Sequence, residues 1–383
     1  ILGGAEVDLF VPSFPELQNE FGLSPFEVEA LLSINFIGYC LSLFFVGGLA
    51  DRYGRKPIIL LGLFIFIIGS YFCLNANLYT SLLVGRFLQG LGVAAPATLC
   101  FIIIADTYPL KQQQYLIAML NGLVNASIGA APVIGSYVTL YFHWQGNFVA
   151  LLILGLATFL MTILFIPPSE KKTHKESLSW RGYIPIFQSA PLRLLIINIV
   201  CLSIPYWIFV GMSPILYIED LGVSLSQFGF YQGTLAAVFA IGSLLCGVLH
   251  KKMDQKRMLS AAIQLSILGF ITMSIATILN IANPLVLTLA FLPFIIAQII
   301  PSMILYPLCL NFMPQAKGRV SATLQGVRLA LTAVSLEVAG YYYTGSFQCI
   351  GIIITSFILL AIITLFMVLK NSELMNFSLE PAK

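Results

Sequence analysis

Apolar stretches of about 20 residues recur from one end of the chain to the other, parted by short polar turns. An α-helix of that length covers the hydrocarbon core of a bilayer, whereas barrel strands would read as shorter alternating segments. Backbone groups in hydrocarbon must bond within their own segment, so these runs predict helices. Twelve spans are expected. The first is a short one ending near Leu17, followed by 25–48, 57–76, 79–104, 113–140 and 146–166. The second set is 191–218, 225–249, 258–280, 284–312, 319–344 and 347–369. The chain starts at Ile1 rather than Met, and span 1 is read as the outward half of a helix truncated at its start. Pro12 and Pro15 should bend its far end.

Composition agrees with the pattern: 59% of residues are hydrophobic, only 9% are charged, and the mean hydropathy is +0.95. A water-soluble domain is excluded. Charge then orients the spans. Of the nineteen Lys and Arg, seventeen fall in loops on one side or in the tail, from Arg52 to Lys383. Arg86 and Arg328 lie within spans, and the opposite loops carry Glu16, Glu20, Glu219 and Asp220 instead. The positive-inside rule puts both termini in the cytoplasm. The net charge of +3 is this bias and implies no nucleic-acid partner. The seven cysteines show no ligand spacing and read as small apolar residues, so no metal is expected.

The longest polar segment, PPSEKKTHKESLSW at 167–180, divides the spans six and six. The expected organisation is a first half at 1–166, an inter-domain loop at 167–190, a second half at 191–369 and a tail at 370–383. GGLADRYGRKP after span 2 and GVLHKKMDQKR after span 8 align weakly, as an internal repeat would.

Three motifs carry the chemistry. In GGLADRYGRKP, Gly47 and Gly48 would let span 2 approach a neighbour closely, and Asp51 could accept bonds at the membrane edge. Arg86 in LLVGRFLQGLGVAAP sits inside span 4, where a cation is costly, with Gln89 and Gly90 on its face. In GAAPVIGSY, Pro132 bends span 5 between small residues, with Gly129 and Gly135 on either side.

The first two motifs resemble the signature loop and helix-4 motif of the major facilitator superfamily, and the third resembles its antiporter motif. VDLFVPSFPEL, GMSPILYIEDLGVSLSQFGF and GRVSATLQG are similar to segments of the Bcr/CflA drug-resistance transporters. The likeness implies twelve transmembrane helices in two six-helix halves and a bacterial cytoplasmic-membrane location. It also implies a cytoplasmic gate in which Gly47, Asp51, Arg52, Gly54, Arg55 and Lys56 meet Asp106 of IIIADTYP. There are departures: Val7 replaces the usual helix-1 Thr, Ser42, Leu43 and Gly48 replace the residues before the signature Asp, and Arg328 and Glu337 stand where neutral residues are usual.

Ionisable residues inside spans are the default functional candidates. Here they are Asp8, Arg86, Arg328, Glu337 and Glu6. Asp8 takes the acidic position of the helix-1 motif and is the first choice for proton coupling, with Glu6 second and Arg86 beside them. Glu6 and Asp8 are about 200° apart on a helix and cannot face one cavity. Arg328 and Glu337 are expected in a substrate cavity with Asn121, Asn125, Tyr206, Trp207, Gln232 and Tyr306. An Arg in the cavity favours an anionic or zwitterionic cargo.

The expected function is proton-coupled export of a drug or metabolite by alternating access. The energy source is the proton gradient, with no cofactor, and the working unit is a monomer. The alternative is an importer or exchanger of a nutrient, siderophore or other anionic or zwitterionic metabolite. No HExxH, GxSxG or Walker sequence argues for an enzyme.

Overall fold

The computed structural model describes residues 2–107, 110–167, 183–249, 253–313 and 317–377. The side chains of Asp51, Asp106, Asn121 and Asn125 lie outside the described set, and so does most of the 167–190 segment. The protein is all-α. Span 1 is broken into α1 (Leu2–Asp8), a 3-10 turn (Val11–Ser13) and α2 (Phe14–Phe21). Then come α3 (Pro25–Tyr53), α4 (Arg55–Leu74), α5 (Tyr79–Thr107) and α6 (Leu110–Phe165). The remainder comprises α7 (Ile184–Gln188), α8 (Ala190–Pro214), α9 (Leu225–Leu249), α10 (Gln255–Ile278), α11 (Pro284–Phe312), α12 (Lys317–Tyr341), α13 (Phe347–Lys370) and α14 (Ser372–Phe377).

Nine described helices are long and apolar enough to cross a membrane on those grounds alone. The twelve-span plan is completed by three features. Broken span 1 is the first, and α12, which carries Arg328 and Glu337, is the second. The third is α6, which holds two spans because its backbone reverses at His143 (φ 59°, ψ −176°). Spans 5 and 6 are therefore two helices that meet at a break, and it falls in the gap at 141–145 between the two expected spans.

Local chemistry sets the helix starts. Ser24 and Glu27 form a reciprocal capping box ahead of Pro25 at the first turn of α3. Asn283 caps α11 ahead of Pro284, and Ser189 caps α8. Gly54 ends α3 at φ 92°, a conformation that disfavours side chains, and turns the chain into α4 within one residue.

In the first six spans α5 packs between α3 and α4, and α4 lies on α6; in the last six α13 packs on α8 and α10, and α10 on α11. Two seams join the sets, α3 along α12 and α6 along α9. One end of the bundle carries the Arg52–Lys56 loop and is called the basic end. At the other, acidic end, the 3-10 turn packs on α8 and α9, and α2 on the π-turn Ile215–Asp220. The acids there are tied in: Glu16 lies 2.7 Å from His143, Trp144 donates to Glu20 at 2.5 Å, and Tyr343 donates to Asp220. Burial and the Asp220 carboxylate hold the Tyr343 phenol above its ordinary range, which keeps it a donor.

One expectation fails on geometry. Among the described residues a Cβ on Gly47 would meet nothing within 4 Å, so Gly47 makes no close helix contact with them. Gly129 is also loosely placed, its nearest neighbour being Ala236 at 3.8 Å. The tight approach in α6 is at Gly135, where a Cβ would stand 2.1 Å from the Leu9 carbonyl. That contact seats the break in span 1 against α6.

Candidate functional site

The site is built around the break in span 1. Pro12 and Pro15 remove two backbone donors within four residues, so the helix stops at Asp8 and restarts at Phe14. Discontinuous helices of this kind place charged groups and free backbone at mid-membrane sites.

Glu6 faces into the first half. The Asn35 Nδ2 donates to its Oε1 at 2.5 Å and to the Arg86 carbonyl at 3.0 Å. The Arg86 guanidinium lies 4.0 Å from the same Glu6 oxygen. Its Nη1 donates to Gln89 at 2.8 Å and its Nε to the Leu31 carbonyl at 3.3 Å, and its face covers the Phe10 ring at 4.6 Å. Gln89 passes the chain on to Ser70, whose hydroxyl donates to the Phe66 carbonyl. Five side chains from α1, α3, α4 and α5 thus form one polar network in a region where Arg86 and Gln89 have no solvent exposure. Arg86 Nη2 is left without a partner, a donor held in reserve.

Asp8, two residues on, is just as buried but points elsewhere. Among the described residues no side chain bonds its carboxylate and no cation stands against it. Its charge reaches Tyr206 of α8 across the seam between halves. Trp207, whose ring meets that of Tyr206, also meets Phe36 of α3 edge to face at 5.1 Å, so α8 touches the first half through Trp207.

Arg328 is half-buried on α12 and faces Tyr39 of α3 and Tyr306 of α11, with its Nε unpaired. Tyr306 shares a 3.2 Å hydrogen bond with Ser321. Two expected cavity residues sit differently. Gln232 is buried and donates to Ser213 and to the Val210 carbonyl, which makes it a tie between α9 and α8. Glu337 lies far along α12 from Arg328, at the seam with α3.

At the basic end, Lys56 donates to the Ile163 and Ile166 carbonyls at 2.8 and 2.6 Å and so caps the end of α6. Arg52 stands over the Tyr53 ring at 5.2 Å. Asp51 and Asp106, the expected acidic members of the gate, fall outside the described side chains, as do Asn121 and Asn125. The sequence reading missed Asn35, Tyr39 and Glu29. Glu29 lay within the stated span 25–48 and could have been found there, whereas a neutral Asn or Tyr carries no comparable signal.

The model of the major facilitator superfamily matches residues 1–336. The chain belongs to that superfamily. Among its relatives is the multidrug resistance protein MdtL. The protein from Shigella dysenteriae serotype 1 (strain Sd197) is 28% identical over 245 residues, covering 62% of this chain and 61% of MdtL. MdtL from Escherichia coli O9:H4 (strain HS) is 28% identical over 242 residues with the same coverage. The match therefore spans about three fifths of the length of these relatives.

Solved facilitator structures share the fold. A D-xylose–proton symporter superposes with a TM-score of 0.74 at 14% identity, covering 95% of this chain and 94% of that one. The inward-facing, occupied form of a bacterial homologue of the human lysosomal transporter Spinster also gives 0.74, at 16% identity, over 100% of this chain and 97% of that one. At such identities the likeness concerns architecture, and function has to rest on the residues of the site.

Proposed function

We propose that this protein is a proton-coupled exporter of a small molecule, working by alternating access in the bacterial cytoplasmic membrane with both termini in the cytoplasm. The observation that carries this is the division of labour between two acids on one short broken helix. Glu6 is tied to Arg86 and Asn35, which fixes span 1 within the first half. Asp8 has no such partner and faces the second half at Tyr206, where the two halves separate and rejoin. A carboxylate at such a seam can take a proton in one state and give it up in the other.

The basic-loop asymmetry supports the orientation, and the kinship with MdtL supports efflux. Arg328 between Tyr39 and Tyr306 offers cargo a cation flanked by two phenols. That favours a molecule bearing an anionic or zwitterionic group over a lipophilic cation. The working unit is proposed to be a monomer.

Asp8→Asn is expected to bring proton-driven flux in proteoliposomes down to the level of empty vesicles, while thermal shift by the cargo persists. Native vesicles should export against a gradient when protons flow the other way. Uptake driven by an inward proton gradient, with no exchange, would overturn the export reading. Loss of cargo binding in Asp8→Asn would instead move Asp8 from proton site to cargo site.

A further inference from the structure

A second buried acid lies outside the machinery described above. Glu29 on α3 has no solvent exposure, and neither of its carboxyl oxygens has a hydrogen-bond partner. It lies where α3, α8 and α12 converge at the acidic end. Its Oε2 rests against Gly211 of α8, where a Cβ would come within 2.7 Å of that oxygen and 2.9 Å of Leu336. Glu337, the neighbour of Leu336 on α12, faces Glu29 across the seam between halves, and its Oε2 also lacks a partner. Ser33, one turn along α3 from Glu29, donates to the Ala333 carbonyl at 3.1 Å and lies beside Glu337.

Among the described residues no cation stands against this pair. The other titratable group near it is Tyr79 of α5, whose hydroxyl already donates to the Glu27 carbonyl at 2.7 Å, while the Glu27 carboxylate is turned to Ser24 at the cap of α3. From α8 the contact is Gly211, which brings no charge. Two ionised carboxylates here would repel each other, with Glu29 wholly buried and uncompensated and Glu337 half-buried with only the Ser33 hydroxyl beside it. A proton held between them replaces that repulsion with a charge-assisted O–H···O bond, as in other paired acids.

We propose that Glu29 and Glu337 form a second proton-binding site that latches the acidic end of the two halves shut. The proton stays while the seam is dry. When α3 and α12 part, water solvates both carboxyls and the proton leaves, so opening at this end and proton release are one event. The latch lies roughly two to three helical turns along α12 from Arg328 and works whatever cargo crosses, so it does not depend on the export reading.

The test uses the full chain, with native cysteines replaced, carrying spin labels at Leu78 and Leu279. These are exposed positions at the acidic end, one in each half. In the native background the open-to-closed ratio should rise about tenfold per pH unit across the window in which the proton is lost. Glu29→Gln and Glu337→Gln each supply a neutral partner permanently, so each should keep the end closed and remove one proton from that slope. Asp8→Asn should leave the contribution of this pair in place, which separates the latch from the proposed coupling site. If both Gln variants keep the native slope, or open at every pH, the latch is wrong. Infrared titration needs no variant of Glu29: a protonated-carboxyl band in native protein that is lost in Glu337→Gln supports the pair. Its absence in native protein overturns it.

Discussion

Arg86→Met is expected to lower stability by about 3–5 kcal/mol, because it removes one member of a buried ion pair and strands the other. Glu6 would keep a single neutral donor, the Asn35 amide, in a region closed to solvent. Gln89 would lose the donor to its Oε1, and the Leu31 carbonyl and the Phe10 ring would each lose a contact. The cost is that of an uncompensated charge, so removing the charge should restore most of it. The double variant Glu6→Gln, Arg86→Met should unfold near the native temperature in detergent, since a buried pair replaced by neutral groups is often close to neutral in stability. Transport should fail in both, because span 1 would no longer be fixed to α5 while Asp8 changes partners. A double variant no more stable than Arg86→Met alone would show that Arg86 acts by packing and by its carbonyl bonds.

Much of this architecture was legible in the sequence because a bilayer imposes a length scale. Span 225–249 and span 284–312 coincide with α9 and α11, and most other ends moved by only a few residues. Hydrocarbon demands about 20 apolar residues, and the caps at Ser24, Ser189 and Asn283 mark where the runs begin. The break at His143 was legible as well, since it lies between the expected spans 113–140 and 146–166. Only its geometry, a φ of 59° at a residue that is neither Pro nor Gly, was not.

The site was legible only in its charges. A period of 3.6 residues already sends Glu6 and Asp8 in different directions, and the structure supplies what each one meets. Arg86 stood out as a cation within a span, but Asn35, which holds Glu6, is one neutral residue in an apolar run. Gln232 failed as a cavity residue for the converse reason. A buried amide satisfied by Ser213 and one free to meet cargo look identical in sequence. Contacts between halves depend on which faces meet, and no local pattern carries that information.

Glycines show the same gap most sharply, and Gly90→Ala puts a number on it. A Cβ at Gly90 would lie 2.0 Å from the Asn35 carbonyl oxygen and 2.8 Å from its carbon, so the collision is with backbone and no side chain can rotate away. Helix α3 must shift against α5, at a cost of about 1–3 kcal/mol for overpacking and with the gain in helix propensity only partly offsetting it. The shift acts on the site directly, because the displaced residue is Asn35, whose amide holds both Glu6 and the Arg86 carbonyl. Transport should therefore fall much further than stability. The contrast is Gly47→Ala on α3, where the added methyl meets none of the described residues within 4 Å and unfolding temperature should hold or rise. Both glycines sit in family-like motifs, and the sequence reading assigned close packing to Gly47. Thermal unfolding of the two variants side by side decides the matter: equal losses would mean that the α3–α5 contact has slack, and that Asn35 is held in place by something other than Gly90.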